Sequence, residues 1–171
     1  MSNRSRTIAL VTALVTLIVL TGCNGLSGTH RPATTDGDTK TAARTTIDRK
    51  TVRIPDGKPA VVFFFSATCG SCLAAGKAVV KVHRQATDKA DFLLVDLDPT
   101  EPRTAIETFR ARIGDKSLPM VSKGAAELAQ AWQVTALSTV VVVDAAGTVT
   151  YRVTDPPAAD ILAAIDEATK Q

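Results

Sequence analysis

Phe63-Phe64-Phe65-Ser66-Ala67-Thr68-Cys69-Gly70-Ser71-Cys72 is the stretch whose reading decides the fold. Before the loop, Ala60 to Phe65 is an unbroken apolar run, bounded on its far side by Pro55-Asp56-Gly57. Such a run suits a strand covered on both faces. After the loop, Leu73 to Thr87 is rich in Ala, Val and Lys with no internal breaker, and it predicts a helix. The two cysteines therefore stand where a strand hands over to a helix. Unpaired N–H groups and the positive end of the helix dipole favour a thiolate at Cys69. A two-residue spacer lets the sulfurs join over a single turn. Cys69, nearer the helix start, is the expected attacking sulfur, and Cys72, further inside, is expected to resolve the mixed disulfide. Gly70 lets the backbone bend into the helix, and Ser71 adds no bulk to hinder approach. The chemistry expected is thiol–disulfide exchange, with no cofactor, because the electrons reside on sulfur.

Outward from this junction the pattern alternates. Asp91 to Leu97 predicts a second strand, ended by Asp98-Pro99. Pro102 to Ile113 predicts a helix with proline in its first turn and Gly114 as its stop. Ala125 to Trp132 reads as a short helix. Thr139 to Val143 and Thr148 to Val153 flank Asp144-Ala145-Ala146-Gly147 as a hairpin, and Ala158 to Thr169 is a closing amphipathic helix. This order predicts an α/β domain, a central mixed sheet with helices on both faces. Trp132, Phe64, Phe65 and Val140 to Val143 read as core.

The N-terminus has a different character. Arg4 and Arg6 precede an apolar stretch from Ile8 to Leu20, followed by Leu20-Thr21-Gly22-Cys23. About 13 apolar residues fall short of the roughly 20 that cross a bilayer core, and the layout is that of a secretory signal. The Leu-Thr-Gly-Cys run resembles the lipobox of bacterial lipoproteins. That resemblance implies cleavage before Cys23, lipidation of its sulfur, and anchoring on the outer face of the cytoplasmic membrane by two or three acyl chains. It also leaves Cys69 and Cys72 as one pair with no odd thiol. Residues 1–22 are thus expected as signal peptide, 23–50 as lipidated cysteine and flexible tether, and 51–171 as the domain. His30 falls in the tether, where it reads as solvated.

Hydrophobic residues make up 45% of the 171 and aromatics only 4%, so the core must rest on Val, Ala, Leu and Ile. The formal charge is +3; without Arg4 and Arg6 the balance is 18 basic to 17 acidic residues. No basic stripe with aromatic interleaving follows, so no nucleic-acid partner is expected. The domain is expected to act as a monomer.

From about Lys58 to Lys170 the chain resembles the thioredoxin-like three-layer fold, in particular the membrane-tethered TlpA/ResA-like thiol–disulfide oxidoreductases. The resemblance rests on Cys69-Gly70-Ser71-Cys72, on Leu118-Pro119-Met120-Val121, and on Trp132-Gln133-Val134 leading into Val140-Val141-Val142-Val143-Asp144-Ala145-Ala146-Gly147. It implies protein thiols or disulfides of secreted or envelope proteins as partners. It also implies a site loop, Ala136-Leu137-Ser138-Thr139, beside the sulfurs. Three positions depart from the family. Ser138 stands where a cis-proline is usual, and a non-proline cis bond costs roughly 2.5–4 kcal/mol. Thr68 replaces the usual tryptophan. The buried acid often found near the second cysteine has no counterpart at Phe63 or Ala75. Asp96 is the nearest candidate for it, although a solvated strand-end carboxylate is the favoured reading there. Leu137 is expected as an exposed apolar contact for a substrate.

Other readings compete. The pair could be a stabilising disulfide, although so small a loop gains little entropy. It could handle copper, but His83 lies within the first helix, away from any ligand geometry, and reads as a surface or packing residue. Two thiols alone fall short of a structural zinc site, and Thr68 next to Cys69 does not reproduce a peroxidase arrangement. A non-catalytic binding module is the remaining alternative.

Overall fold

The computed structural model describes residues 43–171. Five strands form one sheet: β3 (Ala60–Phe65), β4 (Asp91–Asp96), β5 (Met120–Val121), β6 (Thr139–Val143) and β7 (Val149–Thr154), in the order β5-β4-β3-β6-β7. β3, β4 and β5 run parallel, while β6 and β7 are antiparallel to their neighbours, so the sheet is mixed. Four helices complete the domain: α1 (Cys72–Ala86), α2 (Arg103–Ile113), α3 (Ala125–Ala131) and α4 (Ala158–Ala168). The two-residue strand β5 was not expected from sequence, because Met120-Val121 is too short for any period to register.

All six residues of β3 are buried, and period two divides them between two cores. Val61, Phe63 and Phe65 pack with α1, α2 and α4; Ala60, Val62 and Phe64 pack with α3 and Trp132. Phe65 stacks on Phe109 of α2 with ring centroids 4.4 Å apart, and Phe64 meets Trp132 edge-on at 6.1 Å. Few aromatics suffice because each occupies a sheet-to-helix contact.

Gly76 sets how closely α1 and α2 approach. A Cβ there would stand 2.7 Å from Ile113 Cγ2 and 3.3 Å from Phe109 Cζ. Gly76→Ala gains about 1 kcal/mol of helix propensity, while forcing a methyl into a packed seam costs about 1–3 kcal/mol. A net loss of about 1 kcal/mol is expected, read as a lower urea midpoint. An unchanged or raised midpoint would show that the helices separate freely.

The expected tether ended at residue 50, and here the structure moves the boundary. β1 (Arg44–Thr45) pairs antiparallel with β2 (Thr51–Val52), and the turn between them docks on the domain. Ile47 N–H donates to Met120 O at 2.8 Å, and Arg103 Nη1 donates to Ile47 O at 2.7 Å. Arg110, only 9% exposed, grips both carboxylate oxygens of Asp48 at 2.6 and 3.2 Å. The composition of this segment is mostly polar, so hydrophobic patterning passes over it; ion pairing, backbone hydrogen bonds and the packing of Ile47 against the core hold it. Cys23, His30, the expected signal peptide and the start of the expected tether lie outside the described residues. Among the described residues no helix is long and apolar enough to cross a membrane.

Candidate functional site

The cysteines sit at the C-terminal end of β3, where α1 begins. Cys69 and Cys72 are joined as a disulfide. Cys69 is partly exposed, whereas Cys72 is fully buried. The backbone N–H of Cys72, at the first turn of α1, points at Cys69 Sγ from 3.3 Å. The N-cap residue Ser71 makes no side-chain cap, and the Cys69 sulfur takes the place of the missing acceptor. An amide donor and the helix dipole both favour negative charge on that atom. Ser71 Oγ adds a polar contact to Cys69 Sγ at 3.6 Å. Gly70 has open space around it, and Thr68 is exposed.

The loop that carries Cys69 is held from below by Glu101, a residue that sequence reading passed over. Its carboxylate accepts from Ser66 Oγ at 2.7 Å, Ala67 N–H at 2.7 Å and Thr68 N–H at 3.0 Å. Burial acts to raise the Glu101 pKa. The hydrogen bonds from Ser66, Ala67 and Thr68 outweigh it, and the carboxyl lies below its ordinary value. A carboxylate two residues after Pro99 in a polar turn carries no sequence signal. Its role appears only once the β4–α2 turn lies beside the β3–α1 turn.

Asp96, the last residue of β4, corrects the reading of a solvated strand-end carboxylate. It is 1% exposed and accepts from Asp98 N–H at 3.1 Å and Ser122 Oγ at 3.0 Å. Desolvation pushes its pKa up to about 6 against these two hydrogen bonds, and the neighbouring Glu101 carboxylate adds to the rise. The unfolded chain releases this proton near 3.8, the folded chain near 6. Folding therefore takes up a proton between those values. Asp96 weakens the fold progressively as pH rises through that window, by about 3 kcal/mol once above it. Asp96→Asn, which keeps an acceptor for Asp98 and a donor for Ser122, is expected to be more stable than the parent at about pH 7.5. The difference should vanish near pH 4, as urea denaturation at both pH values would reveal. Equal stability at both would place the charged carboxylate in water.

The loop before β6 is arranged differently from a cis-proline turn. Among the described residues the cis peptide is Ile54–Pro55, so Leu137–Ser138 is trans. Ser138 is fully buried, with a left-handed φ of 65°, and Asp155 at the end of β7 has a φ of 53°. The two lock each other: Ser138 Oγ donates to Asp155 Oδ1, and Asp155 N–H donates to Ser138 O at 2.9 Å. Thr139 Oγ1 donates to Ala136 O at 2.8 Å and also meets Thr154 Oγ1 at 3.0 Å. Leu137 is 40% exposed, one of two large apolar side chains so open among the described residues. His83 is remote from this loop's bonding: its Nδ1 pairs with Asp115 Oδ2 at 2.9 Å, and its ring meets Phe92 edge-on. Among the described residues no three His, Cys, Asp or Glu side chains gather as a metal site.

Residues 28–168 match the Redoxin family. The chain belongs to that family. This redoxin is 41% identical over 148 residues to Mercury resistance operon ORF3 of Streptomyces lividans, an alignment covering 81% of the chain and 78% of that protein. Solved structures resemble it in fold. One is MTB DsbF in mixed oxidised and reduced forms, at 19% identity and TM-score 0.66, covering 77% of this chain and 97% of that one. Another is a secreted Mycobacterium tuberculosis disulfide oxidoreductase homologous to E. coli DsbE, at 17% identity and TM-score 0.63, covering 76% and 98%. The fold is thioredoxin-like.

Proposed function

We propose that this redoxin is a membrane-tethered extracytoplasmic oxidoreductase of the TlpA/ResA-like kind, exchanging disulfides with secreted or envelope proteins through Cys69 and Cys72. The observation that carries this reading is the asymmetry of the pair: one sulfur open and aimed at by a helix N–H, the other fully buried behind it. From the disulfide form, a substrate thiolate attacks Cys69 Sγ. The Cys69–Cys72 bond breaks, a mixed disulfide forms, and Cys72 leaves as a thiolate that takes a proton. A second substrate thiolate then attacks the substrate sulfur of the mixed disulfide and expels Cys69. Two electrons pass from substrate to protein, and the reverse sequence reduces a substrate disulfide. Tethering through lipidated Cys23 rests on the signal pattern. Thr68, Gly70 and Ser71 leave the open sulfur accessible, and Leu137 to Thr139 form the neighbouring loop.

The test is the reduction potential of the full chain in detergent, with free thiols counted after equilibration against glutathione or dithiothreitol. A reversible couple between about −120 and −270 mV is expected, and a disulfide resisting reduction beyond about −300 mV would make the pair structural.

One observation favours a second reading. A relative at 41% identity is named for a mercury resistance operon, and two reduced vicinal thiolates are soft ligands suited to a thiophilic cation. Mercuric ion titrated into the reduced chain would then bind one per dithiol and block alkylation of both cysteines. Binding no tighter than to free dithiothreitol would dismiss it.

A further inference from the structure

Beside the dithiol runs a groove of about 360 Å³, at the lower end of ligand-sized pockets. Ala74 and Ala78 of α1 line it together with Pro156 and Pro157 of the β7–α4 connection. Ser71 belongs to the same lining, and its Oγ is 3.6 Å from Cys69 Sγ, so the groove adjoins the reacting sulfur. Asp155 is the one charged residue among those lining it. Lys77 and Lys81, on the same helix, are not part of the lining. One oxygen of Asp155 is held by the buried Ser138 hydroxyl, which fixes the carboxylate in place, while the residue itself is exposed and open to a partner. Two residues other than glycine are kept in left-handed backbone to make this arrangement, at φ 65° and 53°. Such strain persists only where the surroundings enforce it, and it clusters at working sites.

Small apolar walls and one fixed, exposed carboxylate match one kind of side chain: a hydrocarbon stem ending in a cation. Lysine and arginine lay their methylenes on apolar surface and keep the charged head at a polar rim. The geometry points to Asp155 as the residue that selects substrates, favouring polypeptides that carry Lys or Arg next to the cysteine presented to Cys69. This inference rests on the exchange reading above and names its substrate class. Ser138 acts as a positioning residue, through Asp155.

The experiment uses the full chain and three short synthetic peptides with an internal disulfide, identical except for Lys, Gln or Glu beside the first cysteine. With the reduced parent protein at low salt, kcat/KM is expected to be about 5- to 20-fold higher for the Lys peptide than for the Glu peptide, the Gln peptide falling between. Raising the ionic strength should compress that ratio as screening shortens. Asp155→Asn keeps an acceptor for Ser138 and tolerates left-handed backbone, and it should bring the ratio to within about twofold of unity. The salt series on the parent tests the idea even if this variant folds poorly. Equal rates for the three peptides, or a Lys preference that survives Asp155→Asn, would overturn it while leaving the oxidoreductase assignment intact. Failure of the parent to exchange with any peptide would overturn both.

Discussion

Cys72→Ser is expected to accumulate a substrate in mixed disulfide with Cys69, and Cys69→Ser to lose exchange by at least about 10³-fold, the scale of removing a nucleophile. The asymmetry follows from burial. Cys72 is 0% exposed under the first turn of α1, so no polypeptide sulfur reaches it. Cys69 is the sulfur that a partner can touch, and its negative charge is favoured by the Cys72 N–H at 3.3 Å. Without Cys72 the mixed disulfide has no internal thiol to resolve it. A covalent adduct that dithiothreitol releases should appear on a non-reducing gel for Cys72→Ser and be absent for Cys69→Ser. Adducts on Cys72 in the Cys69→Ser protein would reverse the assignment of roles.

Glu101→Ala is expected to lower stability by about 2–4 kcal/mol and to slow exchange by about 10-fold or more. Three donors lose a charged acceptor at once: Ser66 Oγ, Ala67 N–H and Thr68 N–H. Bonds to a charged group contribute roughly 1.5–3 kcal/mol each, and solvent at this half-buried turn restores part of that. The kinetic effect has a separate origin. Ser66 to Thr68 set where Cys69 Sγ stands relative to the α1 amide, and a shift of about 1 Å in a reacting atom can cost on the order of 100-fold. Glu101→Gln, which keeps an oxygen acceptor but turns its other contact into a donor facing Ala67 N–H, should fall between. Urea denaturation and alkylation rates of Cys69 against pH would separate the two effects. A loss below about 0.5 kcal/mol would mean the loop holds its shape without the clasp.

The strand and helix limits around the dithiol were legible because each carries a strong local signal. Ala60–Phe65 and Thr139–Val143 have the bounds expected of them, and Gly114 closes α2 with a φ of 92°. Asp96 was misjudged on the general rule that carboxylates face water. The rule yields where Asp98 N–H in the following turn and Ser122 Oγ from a distant one supply partners. Arg44 to Lys50 reads as tether because Ile47 is its one large apolar residue. Its attachment is through Arg103, Arg110 and the Met120 carbonyl, none of which is near in sequence.

By itself the sequence determined the dithiol, its place at a strand-to-helix turn and the α/β alternation, since each depends on neighbours within one or two turns of chain. The tertiary structure alone decided which acids matter. Glu101 lies 32 residues beyond Cys69 and Asp155 lies 17 beyond Ser138, and polar side chains in turns have no period that announces a distant partner. Their roles arise because parallel β3 and β4 bring the β3–α1 and β4–α2 turns to one end of the sheet, while the β6–β7 hairpin brings Asp155 back to Ser138.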